Sequence, residues 1–357
     1  MSDLVVAGAG MAGLVAAAEA RRLGADPLVL EKLERPGGSM RLSSGVIWRH
    51  REFERFRADC PAGSEPLQRA LFERLDDDMR WLESLGAPVV DRATGNPLTT
   101  GTRFDPEGLT LALERAAGEV RLGQALEALP DGRPVVLATG GFPASEELLR
   151  RHVTPEAPEL LLRAAPGGTG DGLRLGLDAG GEPSAGMAEV YGRNMPAPPA
   201  RVEPGGFVPL AQLYARHAEV TNGSGDRYEC RTWSEIDVLQ WTARQPRARA
   251  WFTVPEAAFG ERVGARTVGE MVEGAVAAGA DVRRDAGAVT VETVAGVTTT
   301  LGGLAVDAHA RVAPGVFACG TDAGGIATGG YASGLAAALV LGRIAARAAL
   351  GAHPEGD

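Results

Sequence analysis

Three glycines spaced as in Gly8-Ala9-Gly10-Met11-Ala12-Gly13 let a polypeptide backbone approach a phosphate closely. The first allows a tight turn, the second makes room for a pyrophosphate, and the third lets a helix pack onto a strand. The free N–H groups and the dipole at that helix's start then stabilise the phosphate charge. Glu31 follows Gly13 by 18 residues. A carboxylate at that distance accepts hydrogen bonds from ribose hydroxyls. It also disfavours a ribose 2′-phosphate, because two negative groups would face each other. The six-residue pattern is weak by itself and gains meaning from a strand before it and a helix after it.

Further small-residue turns lie far from the first. They are Gly37-Gly38-Ser39, Ser43-Ser44-Gly45, Ala138-Thr139-Gly140-Gly141 and Cys319-Gly320-Thr321-Asp322. A flavin has to be held along its whole length, so recurring contacts of this kind favour FAD over NAD.

The elements that must position these turns follow from hydrophobic patterning. Leu4 to Ala7, Pro27 to Leu30, Val135 to Leu137 and Val316 to Ala318 are short apolar runs that read as buried parallel strands. Met11 to Leu23, Glu65 to Leu85, Gly108 to Ala117, Asp171 to Ala179 and Ser333 to Ala349 read as helices. Gly24 fits a C-cap after the first of them. The fold class expected is α/β: a Rossmann-like FAD-binding domain with an inserted second domain, which a family resemblance implies is an α+β capping domain. Composition changes near Ser184, and the tyrosines and tryptophans concentrate beyond it. The expected division is 1–184 with 293–357 for the FAD-binding domain, and 185–292 for the cap.

Composition sets outer limits. At 357 residues the chain is long enough for two or three domains. Apolar residues are 45% and charged residues 23%, as in soluble globular proteins. The 49 glycines cluster without a fixed period, which excludes a collagen-like chain. A net charge of −10 argues against nucleic acid as a partner. Three cysteines and five histidines show no disulfide or metal spacing. Apolar stretches are too short for a membrane span, and no leader is expected before the first strand. A cytoplasmic location is expected.

With these residues in hand, the sequence resembles the flavoprotein family of fumarate reductases, succinate dehydrogenases and 3-ketosteroid dehydrogenases. The resemblance covers 4–48, 135–142, 169–181 and 300–349. It is carried by Leu4-Val5-Val6-Ala7-Gly8 through Glu31-Lys32, by Pro36-Gly37-Gly38-Ser39 and by Ala138-Thr139-Gly140-Gly141-Phe142. Thr169-Gly170-Asp171-Gly172, Thr300-Leu301-Gly302-Gly303 and Val316-Phe317-Ala318-Cys319-Gly320-Thr321-Asp322 continue it. It implies an FAD held by Gly8, Gly10, Met11, Ala12, Gly13, Glu31, Lys32, Gly38, Ser39, Ser43, Ser44 and Gly45, and with no clear residue for covalent attachment the FAD is expected to be non-covalent. Ala138, Thr139, Gly140, Asp171, Gly320, Thr321 and Asp322 would continue the contact, with Ser333, Gly334 and Leu335 at the start of the last helix. Fumarate-reducing members carry a histidine where this chain has Thr298-Thr299-Thr300, and an arginine where it has Gly329-Gly330-Tyr331-Ala332-Ser333-Gly334-Leu335. Two carboxylate clamps are thus missing. The Tyr331-Ala332-Ser333-Gly334-Leu335 run is similar to the tricarballylate and ketosteroid dehydrogenase branches, and Ser43 to Trp48 resembles the latter.

The chemistry implied is desaturation or reduction of a C–C bond beside a carbonyl or carboxylate. It needs an acid or base, a hydride partner at flavin N5, and donors that hold the activating group. Tyr331 is the leading acid or donor. Glu189, Tyr191 and Arg193 alternate along a strand and would share a face. Arg231, with Arg227 second, resembles the cap segment that supplies the family's catalytic arginine. The partners expected are a small cyclic ketone, enone or carboxylate and an unidentified electron donor or acceptor. An FAD monooxygenase and a non-catalytic flavin-binding protein stay open as alternatives.

Overall fold

The computed structural model describes residues 2–229 and 235–352. The chain divides into two compact units. The first comprises Met1–Ser145, Ala165–Glu189 and Thr299–Asp357; the second comprises Glu146–Ala164 and Val190–Thr298.

In the first unit six strands pair in the order Arg311–Ala313, Val316–Ala318, Val135–Leu137, Leu4–Ala7, Pro27–Leu30 and Val120–Arg121. Neighbours run parallel except at the Arg311–Ala313 edge. The three central strands are buried at every residue, as a sheet covered on both faces requires. Ala318, Leu137, Ala7 and Leu30 stand in one register row. The chain therefore leaves four adjacent strands along a single edge, and ligands of open α/β sheets bind at that carboxyl edge.

The helix Met11–Arg22 packs on the last helix, Gly334–Ala349, and on Pro106–Ala117. The opening and the end of the sequence thus share one core. Glu65–Ser84 also packs on the last helix. A small antiparallel sheet of Val46–His50, Thr99–Phe104 and Val89–Asp91 carries Trp48.

The second unit is built on the antiparallel strands Glu219–Thr221, Arg249–Pro255, Ala288–Thr300 and Val282–Asp285. Tyr214, Phe252, Met271 and Val291 lie in its core. The helix Val268–Ala277 starts at a reciprocal cap between Thr267 and Glu270, which satisfies two of its free N–H groups.

The unit boundaries differ from the sequence expectation. Glu146–Ala164 joins the second unit, because the Leu161–Leu162 strand pairs with Gly296 and Val297. The crossovers fall after Glu189 and after Thr298, beyond the expected limits at 184 and 292. Among the described residues no helix is long and apolar enough to cross a membrane.

Candidate functional site

The strand Leu4–Ala7 passes through the glycine turn into Met11–Arg22, and each glycine of the turn has a distinct surrounding. A Cβ added to Gly8 would lie 2.3 Å from the Ala138 carbonyl oxygen. One added to Gly13 would lie 1.9 Å from the Gly8 carbonyl oxygen. Those two positions are closed by the protein itself. A Cβ on Gly10 would meet nothing within 4 Å. The open side of the turn is therefore at the middle glycine. Gly10 is also the N-cap of the helix, and no side chain caps it. A helix start left uncapped beside open space suits a phosphate.

Glu31 is buried at the end of its strand. Its Oε2 accepts the Ala9 N–H at 2.7 Å and its Oε1 accepts the Leu33 N–H at 2.9 Å. It thus fixes the glycine turn, and each oxygen keeps a second lone pair for a ribose hydroxyl. Lys32 donates to Thr169 Oγ1 at 2.6 Å and pairs with Asp171 at 2.7 Å, which brings two of the expected contact residues together. Ser39 Oγ accepts the Ala165 N–H at 3.0 Å. Ser43 serves its own turn, donating to Met40 O and accepting from Gly45 N. Ser44 is exposed.

At the far strands the expected contacts divide. Thr139, Gly140, Gly320 and Thr321 remain partly or wholly exposed along the carboxyl edge. Asp322 is 1% exposed. Its carboxylate accepts from Thr139 N, Thr139 Oγ1 and Gly141 N. Burial pushes this carboxyl up, and those three donors oppose the shift. The acid expected to face the cofactor is therefore spent on holding the Thr139–Gly141 turn in place.

The last helix is capped by Ser333, whose Oγ accepts from Ala336 N at 3.2 Å. The exposed Gly334 amide donates to the Tyr331 hydroxyl at 3.5 Å. Tyr331 is half-buried, and its ring centroid lies 5.9 Å from that of Trp48. Trp48 in turn meets His50 edge-on at 5.4 Å. His50 shares a hydrogen bond of 3.1 Å with Asp59; burial pulls its imidazole below the usual range, and Asp59 opposes this. A phenol, an indole and a helix start thus stand side by side.

In the second unit the Arg193 guanidinium lies over the Tyr191 ring at 4.8 Å, as alternation along Val190–Pro196 predicts. In the first unit the Glu189 carboxylate accepts the Gly329 N–H at 2.8 Å. Arg227 is exposed and pairs with Glu219 at 2.9 Å. Arg231 lies outside the described residues. Patterning did not single out Glu235 in the second unit. Burial pushes its carboxyl up to about 7, with Arg193 and the Ala215 amide opposing.

The donor set fits a dinucleotide: an open glycine turn, an uncapped helix start, a ribose-reaching carboxylate and a second helix start along one sheet edge. Gly10, Met11 and Ala12 would hold the pyrophosphate, and Glu31 the ribose. Comparisons with known proteins agree. The FAD binding domain family model matches residues 3–119 and 123–335. The vinyl phenol reductase of Lactiplantibacillus plantarum is 25% identical over 242 residues, 53% of this chain and 48% of that protein. That match spans about half of the relative's length. Solved structures give the same fold. A 3-ketosteroid-Δ4-(5α)-dehydrogenase from Rhodococcus jostii, bound to 4-androstene-3,17-dione, superposes with a TM-score of 0.73 at 20% identity, over 98% of this chain and 96% of that one. A flavocytochrome c3 fumarate reductase in its open conformation gives 0.72 at 21% identity, over 98% and 78%. With nearly its whole length matched to the family model, the chain belongs to the FAD binding domain family, and FAD is its cofactor.

Proposed function

We propose that the protein is an FAD-dependent oxidoreductase that desaturates or reduces a C–C bond adjacent to a carbonyl or carboxylate. The observation that carries this reading is the placement of Tyr331: its hydroxyl sits at the start of the last helix, accepts the Gly334 amide at 3.5 Å and is only half-buried. When bound, FAD supplies the hydride acceptor or donor. The chain's part is to bind the activating group and to move one proton. A phenol donates a hydrogen bond at neutral pH and is a weak base unless assisted. The helix start beside it is such assistance, because it stabilises negative charge on the oxygen. In the reducing direction Tyr331 Oη gives its proton to the carbon being saturated. In the oxidising direction it takes one. Trp48 offers an apolar ring face beside it, suited to a cyclic or aromatic substrate. The similarity to a vinyl phenol reductase and a ketosteroid dehydrogenase supports the same substrate range.

The test is anaerobic mixing of the purified flavoprotein with ketosteroids, cyclic enones, vinyl phenols and polycarboxylates. Oxidised protein is watched for flavin bleaching and dithionite-reduced protein for reoxidation. One ring compound is expected to change the flavin, and Tyr331→Phe should keep FAD while slowing that step by about 10²-fold, the scale of a lost acid–base group. If no compound of the panel acts in either direction, or if the phenylalanine variant reacts at the wild-type rate, the reading fails.

A further inference from the structure

We propose that Glu189 is a positioning residue for Tyr331, an inference that rests on the role given to Tyr331 above. The segment presenting the phenol is the glycine turn Gly329-Gly330-Tyr331, and each of its three residues is held by a different part of the first unit. Gly329 donates its N–H to Glu189 Oε2 at 2.8 Å. Gly330 presses on the end of the helix Phe53–Asp59, where a Cβ would lie 1.8 Å from the Asp59 carbonyl oxygen. The Tyr331 N–H bonds to the buried Cys60 thiol. Gly329 has φ +85°, so the turn occupies a conformation that a flexible glycine also leaves readily.

Of these three anchors, Glu189 alone offers a side-chain oxygen as acceptor, and the carboxamide oxygen of glutamine offers the same. It is itself well fixed. Its N–H donates to Gly186 O at 2.9 Å, and its carbonyl accepts the Leu301 N–H at 2.9 Å. The carboxylate therefore reaches the turn from a rigid base, and the half-buried Tyr331, two residues along the chain, inherits that rigidity. Neighbouring charges leave Glu189 its role. Asp59 is occupied by His50 and Arg55, and Arg57 donates to Gly63 O and Gln68 Oε1.

The experiment is hydrogen–deuterium exchange of the FAD-loaded full chain, read at Gly329 to Tyr331, for wild type, Glu189→Gln and Glu189→Met. Glu189→Asp, one methylene shorter, serves if the methionine variant does not fold. The carboxamide oxygen of the glutamine variant accepts the same N–H and should preserve slow exchange. The methionine or aspartate variant should exchange at least about tenfold faster there, as an amide released from its acceptor does. In parallel, the limiting rate constant for reoxidation of the dithionite-reduced protein by cyclohexenone should fall roughly 10- to 100-fold with the half-saturating enone concentration little changed, the mark of a misplaced reacting group, and glutamine should rescue it. Wild-type exchange in the methionine and aspartate variants would overturn the proposal, as would a glutamine variant as loose as methionine. The exchange result decides the matter whether or not cyclohexenone is turned over. Faster exchange combined with an unaffected Tyr331→Phe enzyme would uphold the positioning role and remove the phenol from the reaction.

Discussion

Gly10 and Gly13 show how one residue type serves two purposes three positions apart. Gly13 is closed by the Gly8 carbonyl oxygen, so a side chain there must displace backbone. Gly13→Ala should lower stability by about 1–3 kcal/mol, the range for overpacking a tight contact. Urea denaturation of the apo-protein checks it, and an unchanged midpoint would contradict the packing role. The packing role of Gly13 is legible in the sequence because the motif's spacing encodes a close helix–strand approach there. Asp322 was only half legible. Its place after a buried strand was readable, but its hydrogen-bond partners Thr139 and Gly141 are 183 and 181 residues away. Spacing along the chain carries no record of such pairings. Alternation along the sequence places Glu189 only as an acid on a strand face. Its use as an acceptor for Gly329, 140 residues on, appears only in the fold.

The elements were most legible where they are short, apolar and bounded by glycine. Leu4–Ala7, Pro27–Leu30, Val135–Leu137 and Val316–Ala318 match their expected limits. The helix expected from Gly108 begins at Pro106, with the Asp105 carboxylate accepting Gly108 N at 2.6 Å. An Asp-Pro pair is a start signal that was available. The sheet of Val46–His50, Thr99–Phe104 and Val89–Asp91 is not legible in the sequence, because its strands are polar or exposed in part and Val46–His50 pairs with Thr99–Phe104 across two intervening helices. The Leu161–Leu162 strand is two residues long, and only its partner Gly296–Val297 gives it meaning. Such elements are set by tertiary pairing rather than by local propensity.

On the scale of the molecule, a buried ionic cluster fastens the start of the chain to its end. Glu19 is fully buried and accepts from Arg22 and Arg343 at 3.1 Å and from Arg347 at 2.6 Å. Arg343 also pairs with the buried Asp78 and lies over Trp81 at 4.6 Å. Burial alone would raise the Glu19 carboxyl; the three guanidiniums outweigh it and bring the group from its ordinary 4.5 down to about 2. A depressed carboxylate contributes stability above its unfolded pKa and loses it as pH falls through the folded one. The Glu19 contribution should therefore be full above pH 4.5 and vanish on approach to pH 2. Glu19→Gln should cost about 3 kcal/mol at neutral pH, as breaking a buried ion pair does, and should flatten the acid limb of the stability curve. Thermal melts from neutral to acid pH check both, and an unchanged limb would contradict the assignment. The claim beneath all of this is that both ends of the sequence build one FAD cradle whose open point is Gly10. Titration of FAD into the apo-protein measures it most directly. The account predicts one FAD per wild-type chain, and for Gly10→Val an apo-protein that melts as the wild type does but takes up no flavin. A wild-type chain that binds no FAD, or a valine variant that binds it equally well, would contradict the account.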